Sequence, residues 1–421
     1  MVPTVTDNSA EAAQLLIDPL SFTDMDRWHE RVGRIRRAAP VLPVEAEGFT
    51  PFLAVLRHAD IASIERDDAL WHNTSRSVLQ PDAISVEAMQ EAGIPEPRSL
   101  VQLDGAQHRD YRHVTNDLFK PAAVGHLQPK VDEIADSFIQ RLRDLGGECD
   151  FARDIVQPYT LKVVMEIFGV PEEDRPLMLD LTQGLFGAAD PEFMGDASDP
   201  FGSMKNSVTK FMAYFDALTA DRQKCPTGDL ASVIANGMPG GCPMGEAERL
   251  WYYIIMATAG HDTTSFALST GMEALLRHPD QLWALHGDPD LTLNATEEII
   301  RWATPVRHFL RYATQPTSVA GVDVAEGDRV MLVYPSANRD EAMFDAPDTF
   351  DIRRPNANRM LSFGYGTHFC LGAQVARREV RTMLSRLLPQ LDSIEAAGPA
   401  EWVAANFVSG VKHLPISYRF R

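Results

Sequence analysis

Apolar positions along the chain recur mostly at helical spacing. In "VDEIADSFIQRLRDL" Val131, Ile134, Ala135, Phe138, Leu142 and Leu145 fall at intervals of three, four and seven, which puts them on one stripe of a helix. The same period predicts helices over "QPYTLKVVMEIFGV", "SVTKFMAYFDALTADRQK" and "LNATEEIIRWA", and a very long one across "GEAERLWYYIIMATAGHDTTSFALSTGMEALLRH". Strand-like runs are fewer and shorter: "PFLAVLR", "DRVMLVYP" and the tail "HLPISYRF". Pro and Gly mark the joints, as in "RHPDQ" and "RRPNANR", and neither a low-complexity linker nor an internal repeat divides the chain. The pattern predicts a mainly α fold with small β-sheets (α+β), in a single domain over residues 1–421. Residues 1–40 are expected to form an N-terminal extension and first helix. Residues 78–103 read as a long, irregular, helix-poor region.

Composition narrows the function classes. The formal net charge of −20 on 421 residues disfavours nucleic acid as a partner, because a polyanion is repelled over most of such a surface. No basic start followed by an apolar run opens the chain, and no later stretch approaches about eighteen uninterrupted apolar residues. The reading is therefore a cytoplasmic protein without a membrane anchor. Cys149, Cys225, Cys242 and Cys370 are far apart and form no C-x-x-C pair, which argues against a disulfide framework or a structural zinc site. The N-x-S/T matches at Asn73 and Asn294 carry little weight in a chain with no secretion signal.

One of these cysteines has unusual company. "FGYGTHFCLG", residues 363–372, sets Cys370 among three glycines and leads into the helical "AQVARREVRTML". A ligating thiolate needs its charge stabilised, and a tight loop entering a helix N-terminus offers backbone N–H groups and the positive end of the dipole. Gly364, Gly366 and Gly372 let the backbone turn sharply and lie close to something flat. A second cluster, "AGHDTT" (259–264), places an Asp and several Thr beside a Gly inside the longest apolar helix, where they are poor choices for stability. A third, "EEIIR", sets Glu298 and Arg301 at helical spacing.

With F-x-x-G-x-H-x-C-x-G at Phe363, Gly366, His368, Cys370 and Gly372, followed in family order by the other two clusters, the chain resembles the cytochrome P450 family. The likeness runs from about Phe52 to the C-terminus and is strongest to the bacterial terpene-hydroxylating branch typified by an alpha-terpineol hydroxylase, on "YYIIMATAGHDTTS", "GDRVMLVYPSANRDEAMFDAPDTFDI" and "ANFVSGVKHLPI". The cysteine loop departs from that branch at Tyr365 and Thr367. The resemblance implies a triangular prism with haem b between the long central helix and the helix after the cysteine loop. It makes Cys370 the thiolate ligand of the iron, with Phe363 near the sulfur. It implies an opening of the central helix at Gly260 and Thr263, and a proton relay through Asp262 and Thr263. His108, Arg112, Arg311 and His368 would meet the haem propionates. Glu298, Arg301 and Arg354 would form a structural ion network.

The resemblance also implies a reaction: hydroxylation of a small hydrophobic substrate (terpenoid, steroid or aromatic hydrocarbon) with O2. Two electrons would come from a ferredoxin and its NAD(P)H-dependent reductase, because the chain has no flavin or iron–sulfur motif of its own. Ala259, Val306, Phe309, Phe407 and Val408 are the candidate substrate residues by position, and 78–103 corresponds to the substrate-access region. Arg377, Arg378 and Arg381 offer a docking patch for the ferredoxin. The chain is expected to act as a monomer. Whether Arg307 and His308 face the cavity or point away from it stays open. Two other readings also stay open: a peroxide-dependent haem-thiolate enzyme, and a non-catalytic haem sensor or ligand carrier.

Overall fold

The structure, a computed structural model, describes residues 5–73, 76–186, 190–193 and 200–421. Its axis is the 32-residue helix Glu246–Arg277, which begins where Glu248 accepts a hydrogen bond from the backbone N–H of Gly245 at 3.0 Å. This helix is buried nearly all round. Leu268, Met272 and Leu275 are fully enclosed and join the main core with Ile134, Phe151, Tyr159 and Ile299. Each such aliphatic side chain contributes roughly 1.5–3 kcal/mol on leaving water. The 131–145 stripe lies in helix Gln128–Asp144, whose buried residues include Val131, Ile134, Ala135, Phe138 and Leu142; Leu145 is exposed just beyond its end.

Small residues set how closely the central helix is approached. A Cβ on Gly271 would lie 2.4 Å from Ile299, on helix Thr292–Ala303, and one on Gly410 would lie 2.3 Å from Phe266. Helix Gln157–Phe168, which follows a π-helical turn at Phe151–Val156, ends in the left-handed Gly169, whose N–H returns to Met165 O at 3.0 Å. The π turn had no counterpart in the hydrophobic pattern.

The strand-like runs fall in two sheets. The larger has five strands in the order Val41–Ala46, Phe49–Val55, Arg329–Val333, His308–Ala313, Trp71–His72. Its middle pairing, Phe49–Val55 with Arg329–Val333, is parallel, and its other pairings are antiparallel. The tail Pro415–Phe420 lies between Glu148–Asp150 and Leu391–Ala396. The N-terminal region holds two helices, Val5–Ile17 and Met25–Ala38, around a 3-10 turn. Region 78–103 is irregular apart from the short helix Val86–Glu91.

No helix among the described residues is long and apolar enough to cross a membrane.

Candidate active site

The cysteine loop is fixed by backbone geometry and by the helix His58–Arg66 that packs on it. Gly364 and Gly366 have φ of +68° and +67°, and a Cβ on Gly366 would lie 2.1 Å from the carbonyl oxygen of Glu65. Only glycine is tolerated at such a position. The loop closes with Cys370 N–H donating to Phe363 O at 2.8 Å. Burial pushes the Cys370 thiol up from its ordinary value, against the N–H groups of Gly372 and Ala373 and the guanidinium groups of Arg112 and Arg377. The residue lies deep in the protein, yet its surface is open because it faces an internal cavity. A thiol held this way ionises when a cation sits on the sulfur.

The cavity has a volume of about 460 Å³, and it brings together most of the residues singled out in the sequence. Cys370, Phe363, His108, Arg112, Arg311 and His368 line one side. Ala259, Gly260 and Thr263 on the central helix line another, with Val306, Phe309, Phe407 and Val408 beside them. A β-bridge between Val306 and Val408 holds these last two segments together.

Several expectations need correction. The central helix is unbroken α-helix through residues 259–264, so the expected opening at Gly260 and Thr263 is absent. The Thr263 hydroxyl instead donates to Ala259 O at 2.7 Å, which satisfies it within the helix. Asp262 is not among the cavity residues: it is buried, with Oδ1 3.1 Å from His261 Nδ1 and Oδ2 without a hydrogen-bond partner among the described residues. The acid and the alcohol are adjacent in sequence, but 100° per residue points them in different directions.

Arg307 and His308 do not reach into the cavity. Arg307 is buried and donates to the carbonyls of Ala303, Thr304 and Ser409; with no carboxylate beside it, burial lowers it to about 9. His308 ties the 78–103 region to the chain's last turn: Leu79 N–H donates to Nε2 at 3.0 Å, and Nδ1 faces Asn406 O at 3.0 Å. Arg377 is not a free charge either, since Glu297 holds it by two bonds of 2.6 and 3.0 Å and its guanidinium lies 4.4 Å from the Phe363 ring. Arg378 bonds to Gln128.

Glu298, Arg301 and Arg354 form one buried unit. Arg301 donates to both Glu298 oxygens at 2.7 and 2.8 Å, and Arg354 Nε lies 3.1 Å from Oε2. The remaining guanidinium protons go to the carbonyls of Asn338, Pro347, Asp345, Ala346 and Thr349.

Around the basic residues of the cavity lie partners that the motifs did not disclose. Asn73 Nδ2 is 2.7 Å from His368 Nε2 and 2.9 Å from Asp104 Oδ1, while Asn73 N–H donates to the same carboxylate. Burial works against the Asp104 carboxylate, but hydrogen bonds from His368 and Asn73 outweigh it and hold it down at about 2. Asn73 thus bridges the His368 ring and the ionised Asp104 carboxylate, with its NH2 group between them. The His108 ring lies tilted with its centroid 4.1 Å from that of His368, and both its nitrogens are buried without a partner among the described residues. Burial, then His368 and Arg112, push His108 down to about 3. Asn73 had been visible only as an N-x-S match, and no motif pointed to Asp104.

A cysteine in a glycine cradle, an apolar helix face across a cavity, and cationic or donor side chains at its edge define a haem-thiolate site. The family model for cytochrome P450 matches residues 75–395. The chain is 38% identical to cytochrome P450-terp from a Pseudomonas species, over 96% of this chain and 97% of that one. It is 30% identical to steroid C26-monooxygenase of Rhodococcus jostii, over 98% and 87% of the two chains. The crystal structure of CYP108D1 from Novosphingobium aromaticivorans superposes with a TM-score of 0.90 at 38% identity, covering 100% of both chains.

The chain belongs to the cytochrome P450 family. It is a monooxygenase, an oxidoreductase that incorporates oxygen, and its cofactor is haem b. The residues present fit that group: His108, with both ring nitrogens buried and unpartnered among the described residues, lines the cavity, and Cys370 opens into the same space.

Proposed function

We propose that the protein hydroxylates a small hydrophobic substrate, a terpenoid, steroid or aromatic hydrocarbon, using O2 and two electrons from a ferredoxin and its reductase. The observation that carries this reading is the single cavity that joins Cys370 to the apolar wall of Ala259, Val306, Phe309, Phe407 and Val408.

Haem b, when bound, supplies the activation of oxygen. The chain's own residues have four tasks. Cys370 holds the iron as a thiolate, favoured by the N–H groups of Gly372 and Ala373. Arg112, Arg311, His108 and His368 bind the propionates, with the His368 ring held in place by Asn73. Thr263 moves a proton at its Oγ1 once it leaves Ala259 O, and Asp262 joins that relay when its side chain leaves His261 and turns toward the cavity. The Glu298–Arg301–Arg354 unit keeps the fold behind the cysteine loop rigid.

The ferredoxin docks on the face behind that loop. Arg378 and Arg381 are the charges offered there, Arg377 being matched by Glu297. We further infer a single catalytic domain that acts as a monomer in the cytoplasm, with 78–103 as the access region.

The test is turnover of a terpene, steroid and aromatic panel, preselected by low-to-high-spin Soret shifts, with NADH, ferredoxin and reductase. Hydroxylated product that depends on all three supports the assignment. Product formed only with added peroxide, or spin shifts without product, would move it to the peroxide-dependent or carrier class.

A further inference from the structure

The cavity wall carries a carboxylate to which no part of the reaction assigns a task. Glu65 stands in the last turn of helix His58–Arg66, with its side chain only 1% exposed. Its Oε1 accepts from the Tyr334 hydroxyl at 2.7 Å and from Arg311 Nη2 at 3.3 Å, while Oε2 is buried without a hydrogen-bond partner among the described residues. Arg311 spends Nη1 on Leu310 O at 2.9 Å. The helix packs directly on the cysteine loop: Glu65 O lies 2.1 Å from where a Cβ of Gly366 would be, and Oε1 lies 3.2 Å from where a Cβ of Gly364 would be. One buried cation, Arg311, is thus already matched by one buried anion.

A propionate placed on Arg311 changes that count. Two carboxylates then share one guanidinium in a site from which water is largely excluded, and like charges so placed do not both stay ionised. Other groups face Glu65 from each element packed on it. Arg311 comes from strand His308–Ala313, Tyr334 from the turn Tyr334–Ala337, and the Tyr365 N–H from the cysteine loop, whose His368 acts on Arg311. Burial holds Tyr334 far above its ordinary value, so it remains a neutral donor, and burial lowers His368, so it brings no second cation near neutrality.

We propose that Glu65 is a positioning residue for the haem, which orients Arg311 toward a propionate and takes up one proton when the negative charge of the haem site increases. The step is a simple protonation: solvent supplies H+, the Oε2 lone pair receives it, and the Arg311 guanidinium is released to the propionate. Reduction of the iron adds one more negative charge to the same enclosed site, so the electron and this proton are coupled. Burial raises Glu65 to about 7, against Arg311 and Tyr334, which places the exchange near neutral pH. The proposal rests on the haem reading given above.

The test is a spectroelectrochemical titration of the holoenzyme from about pH 6 to about pH 9. The wild-type reduction potential is expected to fall as pH rises through the Glu65 range. In Glu65→Gln, which keeps the hydrogen-bond geometry without the titration, the potential is expected to be flat, and Glu65→Asp should restore the slope. A Glu65→Gln holoenzyme with the wild-type slope overturns the proposal. If that variant does not retain haem, the redox-induced infrared difference spectrum of the wild type decides. A protonated-carboxyl C=O band that grows on reduction supports the proposal, and its absence near neutral pH overturns it. Failure of the haem reading itself is separate: it would show as a wild-type protein without a thiolate-type carbon monoxide spectrum.

Discussion

Replacing Glu298 by Gln removes one negative charge from a site where two guanidinium groups depend on it. Glu298 and Arg301 are 0% exposed and Arg354 is 5% exposed, so none of the three can turn to water. Breaking one side of a buried ion pair costs roughly 3–5 kcal/mol, most of it the penalty of the charges left behind. Here both arginines keep backbone carbonyl partners, which holds the loss within that range although two cations are stranded. The new amide NH2 must also face donors, either Arg301 Nε and Arg354 Nε at the Oε2 place or the Asp351 N–H that reaches Oε1 at 2.9 Å. Against a typical stability of about 5–15 kcal/mol, the variant would be marginal. The neighbouring Glu297 provides an internal control, since its pair with Arg377 is partly solvated, with side chains 18% and 22% exposed, and its loss should cost about 1 kcal/mol or less. Urea denaturation of both holoenzymes, followed by the Soret band and far-ultraviolet circular dichroism, measures the difference. Equal midpoints for Glu298→Gln and Glu297→Gln would refute the reasoning, because adjacent glutamates would then have been ranked wrongly by burial.

Three other outcomes follow from the same geometry. Gly366→Ala should abolish haem retention, because its Cβ would overlap a backbone oxygen that no rotamer can move; an absorbance ratio of Soret to protein bands checks it. Thr263→Ala should leave the haem spectrum intact and divert reducing equivalents to hydrogen peroxide, measured as peroxide released per NADH consumed; full coupling to product would remove Thr263 from the proton path. Burial pulls His413 down, but its bonds to Asp150 and Glu192 outweigh this and raise it above 6.5. The stability from that pairing is complete below the unfolded value and is lost as pH rises through the raised folded one. Thermal midpoints from about pH 6 to about pH 9 should therefore fall more steeply in the wild type than in His413→Gln.

What was legible in the sequence was what a local pattern can encode. The central helix and the helix that carries Glu298 and Arg301 declare themselves by period, and the cysteine loop by glycines whose positive φ leaves little alternative. What was not legible depends on residues distant in sequence. Asn73 meets His368 across 295 positions, and Glu65 meets Arg311 across 246, without any spacing rule that links them. The basic helix after the loop was read as free charge because Glu297, which neutralises Arg377, lies 80 residues earlier. The expected opening of the central helix failed for a local reason: the Thr263 hydroxyl finds Ala259 O one turn back and needs no break in the ladder.

The central claim is that Cys370 binds haem iron as a thiolate, and the carbon monoxide difference spectrum of the dithionite-reduced protein tests it most directly. The wild type should show the strongly red-shifted Soret band of a thiolate-ligated ferrous haem, and Cys370→His, which supplies a nitrogen donor in place of sulfur, should lose it while the far-ultraviolet spectrum stays that of a folded protein. A folded wild-type protein without that band, or a Cys370→His variant that keeps it, would contradict the account.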